Sequence, residues 1–511
     1  MSILLSMLKN TFLFIPGIGE KTEKRLWNNG ILFWEDLKKH TKNEKIKEYI
    51  DVAQKELKNK NIDFFFQRIP SKEHWRLYKE FRDQALFLDI ETTGLSIFYD
   101  EITLIGTYSF RDGYRIFIKD VNIDLFKDYV KDYGLWITFN GKLFDVPFIK
   151  KELGIEPRCH IDLRYPLRSL GLSGSLKEIE QKLGLERRSP VSGQMACLLW
   201  HKAIKGDFES FVKLVEYNYY DVVNLIHLMN HLYNKKVELI KKEIKQRNLL
   251  DEPKCIEPIK VKKRPYITKT KNTIKISLEG LAIVSFDQNK LKYRPLDVHK
   301  LIKKIKNNGF RPLVVGIDLA AKPHRDTGFC VLKDDIAYLK VLKTNEEIVQ
   351  ETLNAKPEIV SIDSPLSLPK GRCCTKDSCQ CRKYGITRAC ERMFKKRGVN
   401  IYPCLIRSMK KLTERGIFLK KTFENLGLRV IESYPGAAQD ILHIPRKSLD
   451  LSELKDDLCL MGIKMKYKTL THDQIDALTS ALVGYFYLAN EYEAVGDEEE
   501  GCIIVPKKTT D

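Results

Sequence analysis

The sequence predicts an α/β chain in which two large regions of alternating strands and helices stand in tandem behind a small helical N-terminal region. Three observations predict it. Two apolar runs, Ala85-Leu86-Phe87-Leu88-Asp89 and Leu313-Val314-Val315-Gly316-Ile317-Asp318, each end in an acid, and each opens a stretch where strand-like and helix-like segments alternate. The chain has 511 residues, too many for one ordinary domain. Its 43% hydrophobic content supplies real cores and excludes wholesale disorder.

Four regions follow in order. Residues 1–82 are helical in pattern, broken at Pro16-Gly17 and Pro70-Ser71. Residues 83–234 form the first α/β region. Residues 235–310 are a basic connector with breakers at Pro253, Pro258 and Pro265, and an alternating stretch from Thr273 to Phe286 predicts a small hairpin. Residues 311–511 form the second α/β region, which ends in a short acidic run from Asp497 to Glu500.

Composition narrows the function classes. No uncharged apolar run approaches the ~20 residues that cross a bilayer. The apolar start is broken by Lys9 and Asn10 and lacks a small-residue cleavage site, so it does not read as a signal peptide. A soluble, cytoplasmic protein with no membrane partner is expected, its twelve cysteines being thiols or metal ligands rather than disulfides. A net charge of +20 favours a polyanionic partner, nucleic acid being the commonest. Between Lys235 and Phe310 there are 21 basic and 8 acidic residues, so most of that excess sits in the connector.

Near the N-terminus, Ile15-Pro16-Gly17-Ile18-Gly19-Glu20-Lys21-Thr22 places two glycines around an apolar residue just before a helix. Such a turn exposes backbone N–H groups that can hold a phosphate without reading sequence. It resembles a helix-hairpin-helix motif, which implies nucleic-acid contact at Gly17, Gly19 and Lys21.

The first acidic constellation opens at Leu88-Asp89-Ile90-Glu91, where two carboxylates two residues apart share one face of a strand end. Asp145 follows in Phe139-Asn140-Gly141-Lys142-Leu143-Phe144-Asp145. Asp221 closes Tyr217-Asn218-Tyr219-Tyr220-Asp221 on an amphipathic helix, one turn beyond Tyr217. Four converging carboxylates are costly unless cations neutralise them, and oxygen-only donors suit Mg²⁺ or Mn²⁺. Two such ions about 4 Å apart stabilise the attacking and leaving oxygens of a phosphodiester displacement.

In order and spacing these blocks resemble the three motifs of DnaQ-like 3′–5′ exonucleases with the DEDD signature, in the tyrosine subtype. The stretches His160-Ile161-Asp162-Leu163 and Ser175–Glu180 resemble the YprB-type branch of ribonuclease-H-like exonucleases. The resemblance covers Leu86 to Leu232. It implies that Asp89, Glu91, Asp145 and Asp221 hold two metals and that Tyr217 orients or deprotonates the attacking water. It further implies that Phe144 and Asn140 support the motif, Asn140 beside the nucleic acid, with Asp162 a weaker addition.

The second constellation repeats the idea. Asp318 and Asp363 end strands, Glu432 lies in Ile431-Glu432-Ser433-Tyr434-Pro435, and Asp473 and Asp476 share a helix face. With Gly501-Cys502-Ile503-Ile504-Val505-Pro506 these blocks resemble domain of unknown function family 429, whose members are predicted nucleases with a ribonuclease-H-like fold. That implies Asp318, Asp363, Glu432 and Asp476 as ligands, Asp473 as an alternative, and one or two ions. It also implies that both large regions are ribonuclease-H-like, each a mixed sheet flanked by helices.

Cys373, Cys374, Cys379, Cys381 and Cys390 fall within 18 residues of a polar, basic stretch. Four of the five can close a tetrahedral thiolate site for zinc, with an iron–sulfur cluster as the runner-up. Cys159, Cys197 and Cys330 sit among apolar residues and read as packing. Lys260–Arg264 and Lys303–Lys306 can lie along phosphates, and Tyr266 and Tyr293 can stack on bases.

The expected activity is metal-dependent phosphodiester hydrolysis on DNA or RNA, with a two-metal 3′–5′ exonuclease in the first region. A nucleic-acid-binding scaffold with structural ions, and a structure-specific endonuclease using the second region, are the alternatives. The carboxylate set cuts either nucleic acid and does not choose between them.

Overall fold

The structure, a computed structural model, describes residues 7–185, 193–244, 264–466 and 470–508. Of the basic connector, Lys260, Lys262 and Lys263 and the breakers Pro253 and Pro258 lie outside the described residues. The chain divides into two compact units: Met1–Thr92 with Ile102–Lys292, and Tyr293–Asp511 with the loop Thr93–Glu101.

In the first unit four short helices, Glu20–Asn28, Trp34–His40, Glu44–Lys58 and Ile62–Arg68, precede a five-stranded sheet. Its strands are β1 (Ala85–Thr92), β2 (Ile102–Ser109), β3 (Gly113–Ile118), β4 (Leu135–Thr138) and β5 (Cys159–Asp162). The order is β3-β2-β1-β4-β5, with β1 antiparallel to β2, β2 antiparallel to β3, and β4 and β5 parallel to β1. The early helices share one core with this sheet, Phe14, Trp34, Phe65 and Phe81 joining Phe87 and Leu104. The connector's expected hairpin is a three-stranded meander, β6 (Tyr266–Thr270), β7 (Thr273–Leu278) and β8 (Leu281–Asp287), whose Ile274, Ile276 and Phe286 enter the same core.

The second unit is built on an eight-stranded sheet. Its strands are β9 (Leu313–Asp318), β10 (Thr327–Lys333), β11 (Ile336–Leu342), β12 (Ile359–Asp363), β13 (Val430–Ser433), β14 (Lys464–Met465), β15 (Tyr492–Asp497) and β16 (Gly501–Pro506). The order is β14-β11-β10-β9-β12-β13-β16-β15. Its central five strands, β11-β10-β9-β12-β13, repeat the order and directions of the first sheet, so the tandem arrangement expected from sequence is present in topology. Side chains alternate along β9. Val314 packs with the His472–Leu488 helix on one face, while Val315 and Ile317 meet Leu419 and Phe423 of the Lys410–Asn425 helix on the other.

A glycine sets how closely each sheet accepts its covering helix. Gly106 on β2 stands opposite Asp89, and a Cβ there would lie 1.7 Å from the Asn218 Oδ1 of the Phe208–Glu243 helix. Gly328 on β10 stands opposite Asp318, and a Cβ there would lie 1.9 Å from the Asp473 carbonyl oxygen of the His472–Leu488 helix. Gly316 on β9 meets the same helix backbone, at 2.1 Å from the Ala477 oxygen. In both sheets the residue facing the leading acid therefore lacks a side chain, and the helix carrying the last acid fits into that space.

Gly328→Ala must push helix backbone rather than a flexible tip. It is expected to destabilise the second unit by ~1–3 kcal/mol, seen as a lower urea concentration for the onset of proteolysis within that unit.

Candidate functional site

In the first unit the site forms where β1 ends. Asp89 and Glu91 point to one face, a register shift falls between Glu91 and Thr92 at the end of the strand, and the Phe208–Glu243 helix crosses above. Side-chain oxygens of Asp89, Glu91 and Asp221 all lie within 4.8 Å of one another. Glu91 and Asp221 are buried and Asp89 is half-buried.

Asn218, one turn before Asp221 and fully buried, ties the group together. Its Nδ2 donates to the Asp89 carbonyl at 3.3 Å, to Asp89 Oδ2 at 3.2 Å and to Glu91 Oε1 at 3.4 Å. Its Oδ1 accepts from the Tyr114 hydroxyl at 3.0 Å. Burial, with Glu91, Tyr219 and Asp89 adding to it, raises the Tyr114 hydroxyl well above its ordinary range, so Tyr114 stays a donor. Neither Asn218 nor Tyr114 was assigned a role by sequence reasoning. The signal available was Gly106, an isolated glycine in an apolar strand, which marks a close approach.

Asp145 begins the Asp145–Leu153 helix and is buried beside this group, its Oδ1 accepting from the Ile90 N–H at 3.2 Å. Burial pushes its carboxyl up to about 7, with Asp162 and Asp221 adding repulsion against the backbone N–H groups that lower it. Asp162 is occupied otherwise: the N–H groups of Asn140, Lys142 and Arg164 donate to it at 2.8, 3.1 and 3.1 Å. It organises the turn that delivers Asp145. Asn140 takes a left-handed φ of 64° in that turn, which asparagine tolerates, and its side chain accepts from Arg164. Phe144 caps the Asp145 helix and packs on Phe148. Tyr217 is buried one turn before Asp221.

In the second unit Asp318 and Asp363 are register partners on parallel strands, and Asp476 faces them from the His472–Leu488 helix. Burial pushes Asp318 up to about 7 and Asp363 well above the carboxylate range, and repulsion from Asp476 adds to both. A lysine enters this cluster. Lys447 Nζ lies 2.6 Å from Asp476 Oδ2 and 3.4 Å from Asp318 Oδ2. Burial opposes its charge, but Asp318 and Asp476 outweigh burial and raise it. Asp476 also accepts from Gln439 Nε2 at 3.0 Å. Asp473 sits half-buried in the first turn of the same helix.

Glu432, expected among the ligands, instead faces Arg388. The guanidinium donates from both terminal nitrogens at 2.7 Å, one to each Glu432 oxygen, and the Leu366 N–H adds a bond of 2.8 Å. Its lone pairs serve this buried pair. Lys447 carried no motif and was not singled out in the sequence.

Four of the five clustered cysteines come together, with the thiol sulfurs of Cys373, Cys374, Cys379 and Cys381 within 4.8 Å of one another. Cys390 corrects the sequence grouping: it is fully buried and packs with Phe394 and Val399 in the core. At the N-terminus Gly17 has φ 86° and Gly19 caps the Glu20–Asn28 helix, both with open space around them. The segment before them is a run of turns rather than a helix. It is held inward by Glu23, which accepts from Thr11 at 2.6 Å, the Phe12 N–H at 2.8 Å and Arg76 at 3.0 Å. Of the basic stretches, Lys304 pairs with Glu491, Lys306 with Asp334 and Arg264 with Glu216. Tyr266 is 71% exposed, whereas Tyr293 is half-buried with its hydroxyl turned inward.

Asn218→Ala keeps all four carboxylates but removes the amide shared by Asp89 and Glu91. A 10–100-fold weaker Mn²⁺ affinity is expected, about the usual cost of losing an outer-shell partner, as measured by titration calorimetry.

Residues 86–233 match a family model described as the RNase H superfamily. No curated protein matches the chain. Among solved structures it is similar to the family B DNA polymerase from the hyperthermophilic archaeon Pyrobaculum calidifontis, at 12% identity and a TM-score of 0.25, over 83% of this chain and 53% of the polymerase chain. The chain thus spans about half the length of that polymerase. Among the described residues no helix is long and apolar enough to cross a membrane. Residues 86–233 thus form an RNase H-like α/β domain, a likeness that suggests nuclease activity.

Proposed function

We propose that the chain is a metal-dependent nuclease whose first unit removes nucleotides from the 3′ end of DNA or RNA. The observation that carries this reading is the meeting of Asp89, Glu91 and Asp221 within 4.8 Å at the end of β1 of an RNase H-like sheet. The donor set fits the cation: the ligand atoms are carboxylate oxygens, the set preferred by Mg²⁺ or Mn²⁺. When bound, divalent ions there would supply Lewis-acid stabilisation to the attacking and departing oxygens of a phosphodiester.

The chain's own residues do the rest. Asn218 fixes the rotamers of Asp89 and Glu91, so the oxygens are already placed before substrate arrives. Asp145, whose carboxyl burial raises to about 7, would add its charge to the group once cations were bound beside it. Tyr217, buried one turn before Asp221, would orient or deprotonate the attacking water. The open turn at Gly17 and Gly19, with Lys21 beside it, would grip backbone phosphates.

For the second unit one observation favours a non-catalytic reading. The Lys447 ammonium already stands between Asp318 and Asp476, where it supplies positive charge that a divalent ion would otherwise bring. That unit is proposed to bind nucleic acid or steady the chain rather than to cut.

A 5′-labelled oligonucleotide, as single-stranded DNA, RNA and a recessed duplex, tests the assignment with Mn²⁺ present. Wild type is expected to give a ladder shortening from the 3′ end. Asp89→Asn should lower the rate by about 10²–10³-fold or more, and Asp318→Asn should leave it near wild type. A single internal cut abolished by Asp318→Asn would assign the chemistry to the second unit. Binding without any metal-dependent cleavage would replace the enzyme with a scaffold.

A further inference from the structure

The loop between β12 and the Ala389–Lys396 helix has no part in the proposed chemistry, yet it carries the tightest group of soft ligands among the described residues. Cys373 Sγ and Cys379 Sγ are 3.6 Å apart, and Cys374 Sγ and Cys381 Sγ are 3.9 Å apart. These are not disulfide distances, which are near 2.05 Å, and all four cysteines are free. A zinc ion with four sulfurs at about 2.3 Å in a tetrahedron sets those sulfurs about 3.8 Å apart. The observed spacings bracket that value, and all four sulfurs meet the same 4.8 Å limit. A multi-iron cluster divides the four cysteines between two or four irons and spreads the set of sulfurs more widely, so a single ion fits the geometry better.

A second, independent feature lies one residue away. Arg372 is buried, at 7% exposure, and its Nε and both terminal nitrogens have no hydrogen-bond partner among the described residues. A guanidinium enclosed without a hydrogen-bond partner calls for compensating negative charge, and the nearby Asp377 already pairs with Lys410. Four thiolates around one Zn²⁺ carry a net charge of minus two. The loop is also closed at its base: Gly371 has φ +86°, and a Cβ there would lie 2.7 Å from the Tyr384 ring, so the chain entering the thiol group is pressed on the chain leaving it. Outside the ring of thiols, Lys410 pairs with Asp377 and the Thr375 hydroxyl donates to Glu414, fastening the loop to the Lys410–Asn425 helix.

We propose that Cys373, Cys374, Cys379 and Cys381 hold one structural zinc ion as a tetrathiolate, and that the buried Arg372 guanidinium is its counter-cation. Up to four thiol protons pass to solvent as the ion binds, and no electron is transferred. The ion staples the loop that starts beyond Asp363 and ends at Arg388, whose guanidinium holds Glu432.

Elemental analysis of the full chain purified under reducing conditions tests the site. One zinc per chain is expected in wild type and in Cys390→Ser, and close to none in Cys373→Ser or Cys379→Ser. Cobalt added to the metal-stripped chain should give the intense visible bands of a tetrahedral tetrathiolate. If a serine variant fails to fold by circular dichroism, the wild-type cobalt spectrum decides the ligand set. Arg372→Met should release zinc to a chelator roughly tenfold faster. Absence of both zinc and cobalt uptake, retention of metal by both folded serine variants, or iron in place of zinc would overturn the site. Unchanged release from Arg372→Met would overturn the role given to Arg372.

Discussion

Each sheet rests on one steric condition: the covering helix, through the Asn218 side chain in the first unit and its own backbone in the second, fills the space opposite the leading acid so that the strand residue there has no room for a side chain. Gly106 opposite Asp89 and Gly328 opposite Asp318 meet that condition in the two units. The helix that follows late in each unit then brings its own acid, Asp221 or Asp476, to the strand ends where Asp89 or Asp318 already stands. With β4 parallel to β1 and β12 parallel to β9, the third acid emerges on the same side. Topology fixes which chain ends meet, and the glycines fix how closely.

Burying carboxylates side by side is unfavourable unless something neutralises them, and the two units differ in what they provide. In the first, a neutral amide, Asn218, donates to Asp89 and Glu91. It orders the oxygens without cancelling their charge, which is what a cation site requires. In the second, the charged Lys447 contacts Asp318 and Asp476, and Arg388 takes both oxygens of Glu432. One scaffold thus carries two electrostatic solutions, of which the first suits metal-dependent chemistry and the second suits a self-neutralised site.

Much of this is legible in the sequence because strand ends advertise themselves. An apolar run closing in Asp89-Ile90-Glu91 or in Asp318 marks both the strand and the face of its acids. Asp221 and Asp476 follow from helical spacing. What stays hidden is whatever depends on register or long-range pairing. The space opposite Asp89 is set by β1–β2 register, so Gly106 marks a close approach in sequence without showing which residue fills it. Lys447 and Arg388 are ordinary basic residues in a lysine-rich chain until the fold brings them to Asp476 and Glu432. Cys390 matches the other cysteines in spacing but begins a helix whose inner face is core. Asp162 matches an acidic ligand in type but is claimed by three backbone N–H groups.

The central claim is that the first acid group takes up divalent cations and the second, already holding a lysine, does not. Mn²⁺ binding by isothermal titration calorimetry, on wild type, Asp221→Asn and Asp476→Asn, tests it most directly. The account predicts binding in wild type and Asp476→Asn, and its loss in Asp221→Asn. Binding that survives Asp221→Asn but disappears with Asp476→Asn would contradict it, and so would the absence of Mn²⁺ binding in wild type.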